Sequence, residues 1–101
     1  MLIPTENDQV ALIAVFEVDR EKQQELLLAW NAFSRQAQNE PGFKGATLHK
    51  STDGTRVLSC AQWASTEDWE RFVAHHGHEF ARFTPLSIRI DPHLYELVEK
   101  F

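Results

Sequence analysis

The chain has 101 residues, the size of one domain, and its 43% apolar and 25% charged residues form an ordinary globular balance that excludes a disordered polymer. A formal net charge of −5, with no Lys/Arg cluster, argues against nucleic acid and anionic membrane surfaces as partners. The single cysteine, Cys60, allows no internal disulfide, and no apolar run approaches the roughly 18 residues that span a bilayer, so the expected location is cytoplasmic.

Residues 1–8 carry Pro4 and read as a flexible leader, without the basic region or apolar run of a signal peptide; residues 9–101 read as a single domain. Gln9 to Val18 reads as a strand with Val10, Leu12, Ala14, Phe16 and Val18 on one face and Ala11, Ile13 and Val15 on the other. Asp19 is a candidate N-cap for a helix whose Leu26, Leu27, Trp30, Phe33 and Ala37 fall on one stripe, ending before Pro41-Gly42. Phe43 to Ser51 and Thr55 to Trp63 flank Thr52-Asp53-Gly54 as a β-hairpin. Ser65 with Asp68 resembles a capping box that opens a second helix carrying Trp69, Phe72, Val73 and His76 on one face. Gly77 interrupts that helix, Phe80 and Phe83 continue a short second piece, and Leu94 to Phe101 reads as a last strand entered through Pro92.

The order β-α-β-β-α-β predicts an α+β, ferredoxin-like fold: one antiparallel sheet with its helices on one face. Such helices cover only that face. The first strand is apolar on both, and Phe43, Val57, Ala61, Trp63, Tyr95 and Leu97 also call for burial. The expected cover is a second copy of the sheet, giving a homodimer.

The run Pro41-Gly42-Phe43-Lys44-Gly45-Ala46-Thr47-Leu48-His49, then Ser51-Thr52-Asp53-Gly54-Thr55, then Ala61-Gln62-Trp63-Ala64-Ser65, closely resembles the antibiotic biosynthesis monooxygenase (ABM) family. Within it the chain is most similar to the small anthrone oxygenases of aromatic polyketide pathways, from about Val10 to Phe101. The resemblance implies a dimeric α/β barrel with one pocket per subunit between sheet and helices. It also implies oxidation of a small aromatic substrate to a quinone by molecular oxygen, without flavin, haem or metal. Other members are quinol oxygenases, haem-degrading enzymes or signal-processing proteins, so the fold alone leaves the reaction open.

Three catalytic candidates follow. Trp63 stands where the family carries a tryptophan whose indole N–H can hold a carbonyl, enolate or peroxide oxygen, although a core aromatic would occupy the same place. Ser59 stands where the anthrone oxygenases carry Asn, and Trp69 where they carry Tyr, so a single hydroxyl replaces an amide and an indole N–H replaces a phenol. His78 matches a family position near the short helix and is the first choice of base among His49, His75, His76, His78 and His93. Trp69, Phe72, Trp30, Phe33, His49, Phe80 and Phe83 are the expected substrate-binding residues. The pair His75 and His78 lacks a third ligand at a fixed spacing, so no metal is expected. The leading expectation is a cofactor-independent monooxygenase; a non-catalytic binding or regulatory protein of the same family is the alternative. Haem degradation ranks lower, because the first strand has no Asn.

Overall fold

In the computed structural model, which describes residues 9–101, the first expected strand is β1, Val10–Glu17; the expected leader, 1–8, lies outside the described residues. The pleat of β1 sends Leu12, Ala14 and Phe16 into a core and leaves Ala11, Ile13 and Val15 half-buried on the reverse. β1 is an interior strand, antiparallel to β3 (Arg56–Trp63) on one side and to β4 (Arg89–Tyr95) on the other. β2 (Phe43–Lys50) pairs with β3, so the sheet order is β2-β3-β1-β4, entirely antiparallel. With α1 (Gln23–Ala37) and α2 (Thr66–His76) this is the expected ferredoxin-like β-α-β-β-α-β fold.

Local chemistry sets the ends of these elements. Asp19 does not cap α1 with its side chain. Its backbone carbonyl accepts from Lys22 N–H at 2.8 Å and closes a 3₁₀ turn, Arg20–Lys22, which feeds the helix. The Ser65 cap forms as expected: its Oγ accepts from Asp68 N–H at 3.2 Å and donates to Asp68 Oδ2 at 2.9 Å. Aspartate is a methylene shorter than glutamate, and its carboxylate meets the serine hydroxyl rather than the backbone. In the hairpin, Asp53 Oδ1 accepts from Ser51 Oγ, Thr55 N–H and Thr55 Oγ1, and those bonds hold its carboxyl down to about 2.

The structure makes two corrections. The last strand is Arg89–Tyr95 rather than Leu94–Phe101, and Pro92 sits within it, opposite Ala14. Because β4 is an edge strand, a residue without an N–H costs no ladder bond on its open side. Leu97, Val98 and Phe101 lie beyond it and are exposed. Second, Val57, Trp63, Ala61 and Phe43 belong to the helix-side core, so they need no further cover. The apolar part of the reverse face is instead Ile13 and Val15 of β1 beside Cys60 and Leu58 of β3. Among the described residues no helix is long and apolar enough to cross a membrane.

The turn into β2 depends on Gly42, whose φ is +86° and whose carbonyl accepts from Ala64 N–H at 2.7 Å. A Cβ there would strike the Asp68 carboxylate and displace it from Ser65. Gly42→Ala is expected to cost about 1–3 kcal/mol of stability, read from the urea midpoint at unchanged slope.

Candidate functional site

Between the sheet and the helices the strands offer small side chains and the helices large rings. Ala14 pairs with Ser59 across β1 and β3, Ala61 pairs with Ala46 across β3 and β2, and Leu12 lies opposite Ala61. Above them stand Trp30 and Phe33 of α1, Trp69 and Phe72 of α2, and Phe80 of the 3₁₀ segment Gly77–Leu86. Rings this size cannot descend onto a floor of alanines without gaps, and a small cavity of about 30 Å³ remains. Through Leu12, Trp30, Trp69 and Phe80 it continues into a second space of about 230 Å³, lined also by Ala14, Phe16, Val73, Phe83, Ile90 and Pro92. Toward the surface it shares Ser34, Phe43, Ala46 and Ser59 with a groove lined by Asn31, Arg35, Gln38 and Thr47. With the outer groove of about 400 Å³ the connected spaces reach the size of a small-molecule site, most of it on either side of the inner cavity.

Trp63 is 1% exposed and Trp30 is 7% exposed, yet neither indole N–H has a hydrogen-bond partner among the described residues. Each buried unpaired donor costs about 1–3 kcal/mol, a cost that an acceptor oxygen on a ligand would remove. Trp63 is held edge-on by Phe43 at 5.4 Å and lies 5.2 Å from Phe72 and 6.1 Å from Trp69. Ser59 is buried and lines both the inner cavity and the outer groove. Of the predicted residues, Trp63, Ser59, Trp69, Phe72, Trp30, Phe33 and Phe80 therefore meet at one cavity, with Phe83 at its apolar extension.

Two predicted residues do not join them. His78 is exposed and lines none of these spaces, because Gly77 turns the chain out of α2 just before it. His49 is exposed, opposite Leu58 on the reverse face of the sheet. Among the described residues no acid, lysine or histidine lines any of the three spaces, and Arg35 is their sole charged residue. Among the described residues no group of three His, Cys, Asp or Glu side chains is placed to hold a metal ion. Ile90 and Pro92 are lining residues that sequence reasoning missed, since it placed the last strand too late.

His93 Nε2 lies 2.7 Å from Asp91 Oδ1 at an exposed position, whereas His76 sits between two carboxylates. Its Nδ1 lies 2.8 Å from Glu79 Oε2, its Nε2 lies 2.9 Å from Glu40 Oε1, and its ring packs 4.8 Å from Phe72. A ring between two carboxylates binds both best when both nitrogens carry protons, so the Glu40 and Glu79 contacts raise its pKa. The same contact lowers the pKa of Glu79. His76 thus joins the turn after α1, the end of α2 and the 3₁₀ segment that carries Phe80.

A family model described as Antibiotic biosynthesis monooxygenase matches residues 9–83. The tetracenomycin-F1 monooxygenase of Streptomyces glaucescens is 40% identical over 68 residues, 66% of this chain, and the chain spans 61% of that relative's length. Among solved structures, a single-site mutant of SnoaB, a cofactor-independent oxygenase from Streptomyces nogalater, aligns with a TM-score of 0.83 at 20% identity, over 93% of this chain and 97% of that one. Rv0793 from Mycobacterium tuberculosis aligns with a TM-score of 0.80 at 19% identity, over 91% of this chain and 97% of that one. Structural likeness at such identities establishes a common fold.

The His76 clamp carries a pH signature. A raised folded pKa means that its stabilisation is full below the ordinary value near 6.5 and is lost as pH rises through the folded value. The lowered pKa of Glu79 means that its share is full above the ordinary value near 4.5 and is lost as pH falls through the folded one. The stability gap between the wild type and His76→Gln, measured by urea denaturation, is therefore expected to be widest near pH 5.5 and to shrink toward pH 9.

Proposed function

The chain belongs to the antibiotic biosynthesis monooxygenase family, and from that premise we propose that it is a cofactor-independent monooxygenase that oxidises an anthrone-type aromatic polyketide or related quinol to a quinone. The observation that carries this reading is the unpartnered Trp63 N–H at a cavity walled by aromatic rings and free of acids, lysines and histidines. The curated relative bears the name of a monooxygenase of tetracenomycin F1, and SnoaB is titled a cofactor-independent oxygenase, which agrees with a flat polycycle and molecular oxygen as reactants.

The chemistry follows from what the cavity offers. Triplet oxygen reacts poorly with closed-shell molecules, but an anthrone anion is rich enough to give it one electron. The ring-methylene carbon loses a proton, and the anion passes an electron to oxygen. The resulting radical and superoxide combine into a C–O bond, the peroxide takes up a proton, and loss of water leaves the quinone carbonyl. One O₂ is consumed and one water is released. With no general base on the cavity wall, ionisation rests on the substrate's own acidity, strengthened by donors aimed at the developing oxyanion. Trp63 Nε1–H is the principal donor in this reading and the Ser59 hydroxyl the second. Trp69, Phe72, Phe33, Trp30, Phe80 and Phe83 exclude water and hold the ring plane.

Oxygen uptake with dithranol or emodin anthrone, followed together with quinone absorbance, tests this directly. Trp63→Phe is expected to lower kcat on the order of 10²-fold with the fold intact, while His78→Ala leaves kcat unchanged within error. Anthrone binding without oxygen uptake would instead assign a binding role. Unaltered turnover in Trp63→Phe would make that residue scaffold.

We also propose that the functional unit is a homodimer closed through the reverse sheet face. The support is the stripe of Ile13, Val15, Leu58 and Cys60, which no element of the chain covers among the described residues. Light scattering on a sizing column is expected to give twice the 11.7 kDa chain mass, and Ile13→Asp to give the monomer. A wild-type monomer at micromolar concentration would overturn the dimer.

A further inference from the structure

We propose that the outer groove is a subsite for an anionic oxygen substituent, a carboxylate or ionised phenol, and that Arg35 binds it. This rests on reading the inner cavity as the seat of a flat polycycle. Ser34, Phe43, Ala46 and Ser59 line both spaces, so one molecule can lie in the cavity and project its edge into the groove.

Charge is distributed very unevenly along this path. The far end, between Phe16, Val73, Phe83 and Ile90, is wholly apolar, and a charged group there would lose its hydration without gaining a partner. The near end holds Asn31, Gln38, Thr47 and Arg35, the one formal charge on any wall of the path. Asn31 Oδ1 accepts from Arg35 Nε at 2.9 Å, one helical turn away, which fixes the plane of the guanidinium. The two terminal nitrogens have no acceptor among the described residues. A planar fork fixed at its root with both tips free matches a carboxylate edge or a phenolate. In a chain of net charge −5 an anion approaches against the overall field, so this local cation decides whether it is admitted. The same gradient orients the ligand, with neutral rings inward and the ionised edge outward.

Titration of tryptophan fluorescence with anthraquinone-2-carboxylate and its neutral partner, anthraquinone-2-carboxamide, tests the subsite apart from turnover. In the wild type the carboxylate is expected to bind about fivefold or more tighter than the amide at low ionic strength, with the preference shrinking as salt is added. Arg35→Gln is expected to equalise the two Kd values by weakening only the carboxylate, and Arg35→Lys to restore part of the difference. An equal or reversed preference in the wild type, or a preference that survives Arg35→Gln, overturns the assignment while leaving the polycycle site standing. Failure of both ligands to bind overturns the polycycle reading and the subsite with it.

Discussion

Trp30 projects from α1 into the middle of the molecule, and the other elements arrange themselves around its indole. Its ring centre lies 4.8 Å from Phe16 of β1, 5.2 Å from Phe33 of its own helix, and 4.7 Å and 6.2 Å from Phe83 and Phe80 of the 3₁₀ segment. The contacts to Phe16 and Phe83 are edge-to-face, at 62° and 68°, and that to Phe33 is tilted at 45°. Layers built that way touch firmly at a few points and leave wedge-shaped space between them. The same contacts that hold the sheet, α1 and the 3₁₀ segment together therefore keep the interior open. They also surround the indole nitrogens of Trp30 and Trp63 with carbon, which is why neither finds an acceptor.

An interior of this composition restricts the chemistry available to it. Burial without compensation raises the free energy of any ion, so an uncharged aromatic wall suits a reactant that is neutral on entry and whose charge develops where a donor waits. Histidines are plentiful in the chain, yet those at the end of α2 serve elsewhere. His76 is committed to two carboxylates, and His75 and His78 are exposed. Proton removal by a side chain is thus a poor fit to the cavity, whereas stabilisation of an anion by N–H and O–H donors is a good one.

Much of this was legible in the sequence because it rests on short-range patterns. The two-faced alternation of Val10 to Val18 located an interior strand, and Asp53-Gly54 located the hairpin. The stripe of Leu26, Trp30, Phe33 and Ala37 named the buried face of α1. The family motif around Trp63 then gathered most of the cavity wall. What escaped depended on partners distant in sequence. Pro92 argues against a strand until β4 is known to be an edge, so Ile90 was left off the wall. Val57 and Phe43 called for burial without a face to bury them, because strand phase relative to the helices cannot be read from apolar content alone. His76 shares the helical face of Trp69, Phe72 and Val73, which placed it near the core, but its role needed Glu40 from the turn after α1.

The size of the cavity follows from the floor more than from the walls. Ala14, Ser59, Ala61 and Ala46 lie side by side through the registers of three strands, with Ala14 and Ser59 buried and Ala46 exposed at the outer groove. Each methylene added at such a position would gain roughly 0.8 kcal/mol of apolar burial, and a well-filled core avoids the further cost of voids. Small side chains under large rings thus leave stability unused, at the same place where two indole donors stay unsatisfied. On the proposed function those two deficits would have a common remedy, since a flat ligand bearing oxygen on its edges would lie over the alanines and offer the buried N–H groups acceptors. The residues that make the core incomplete are therefore the ones that define what completes it.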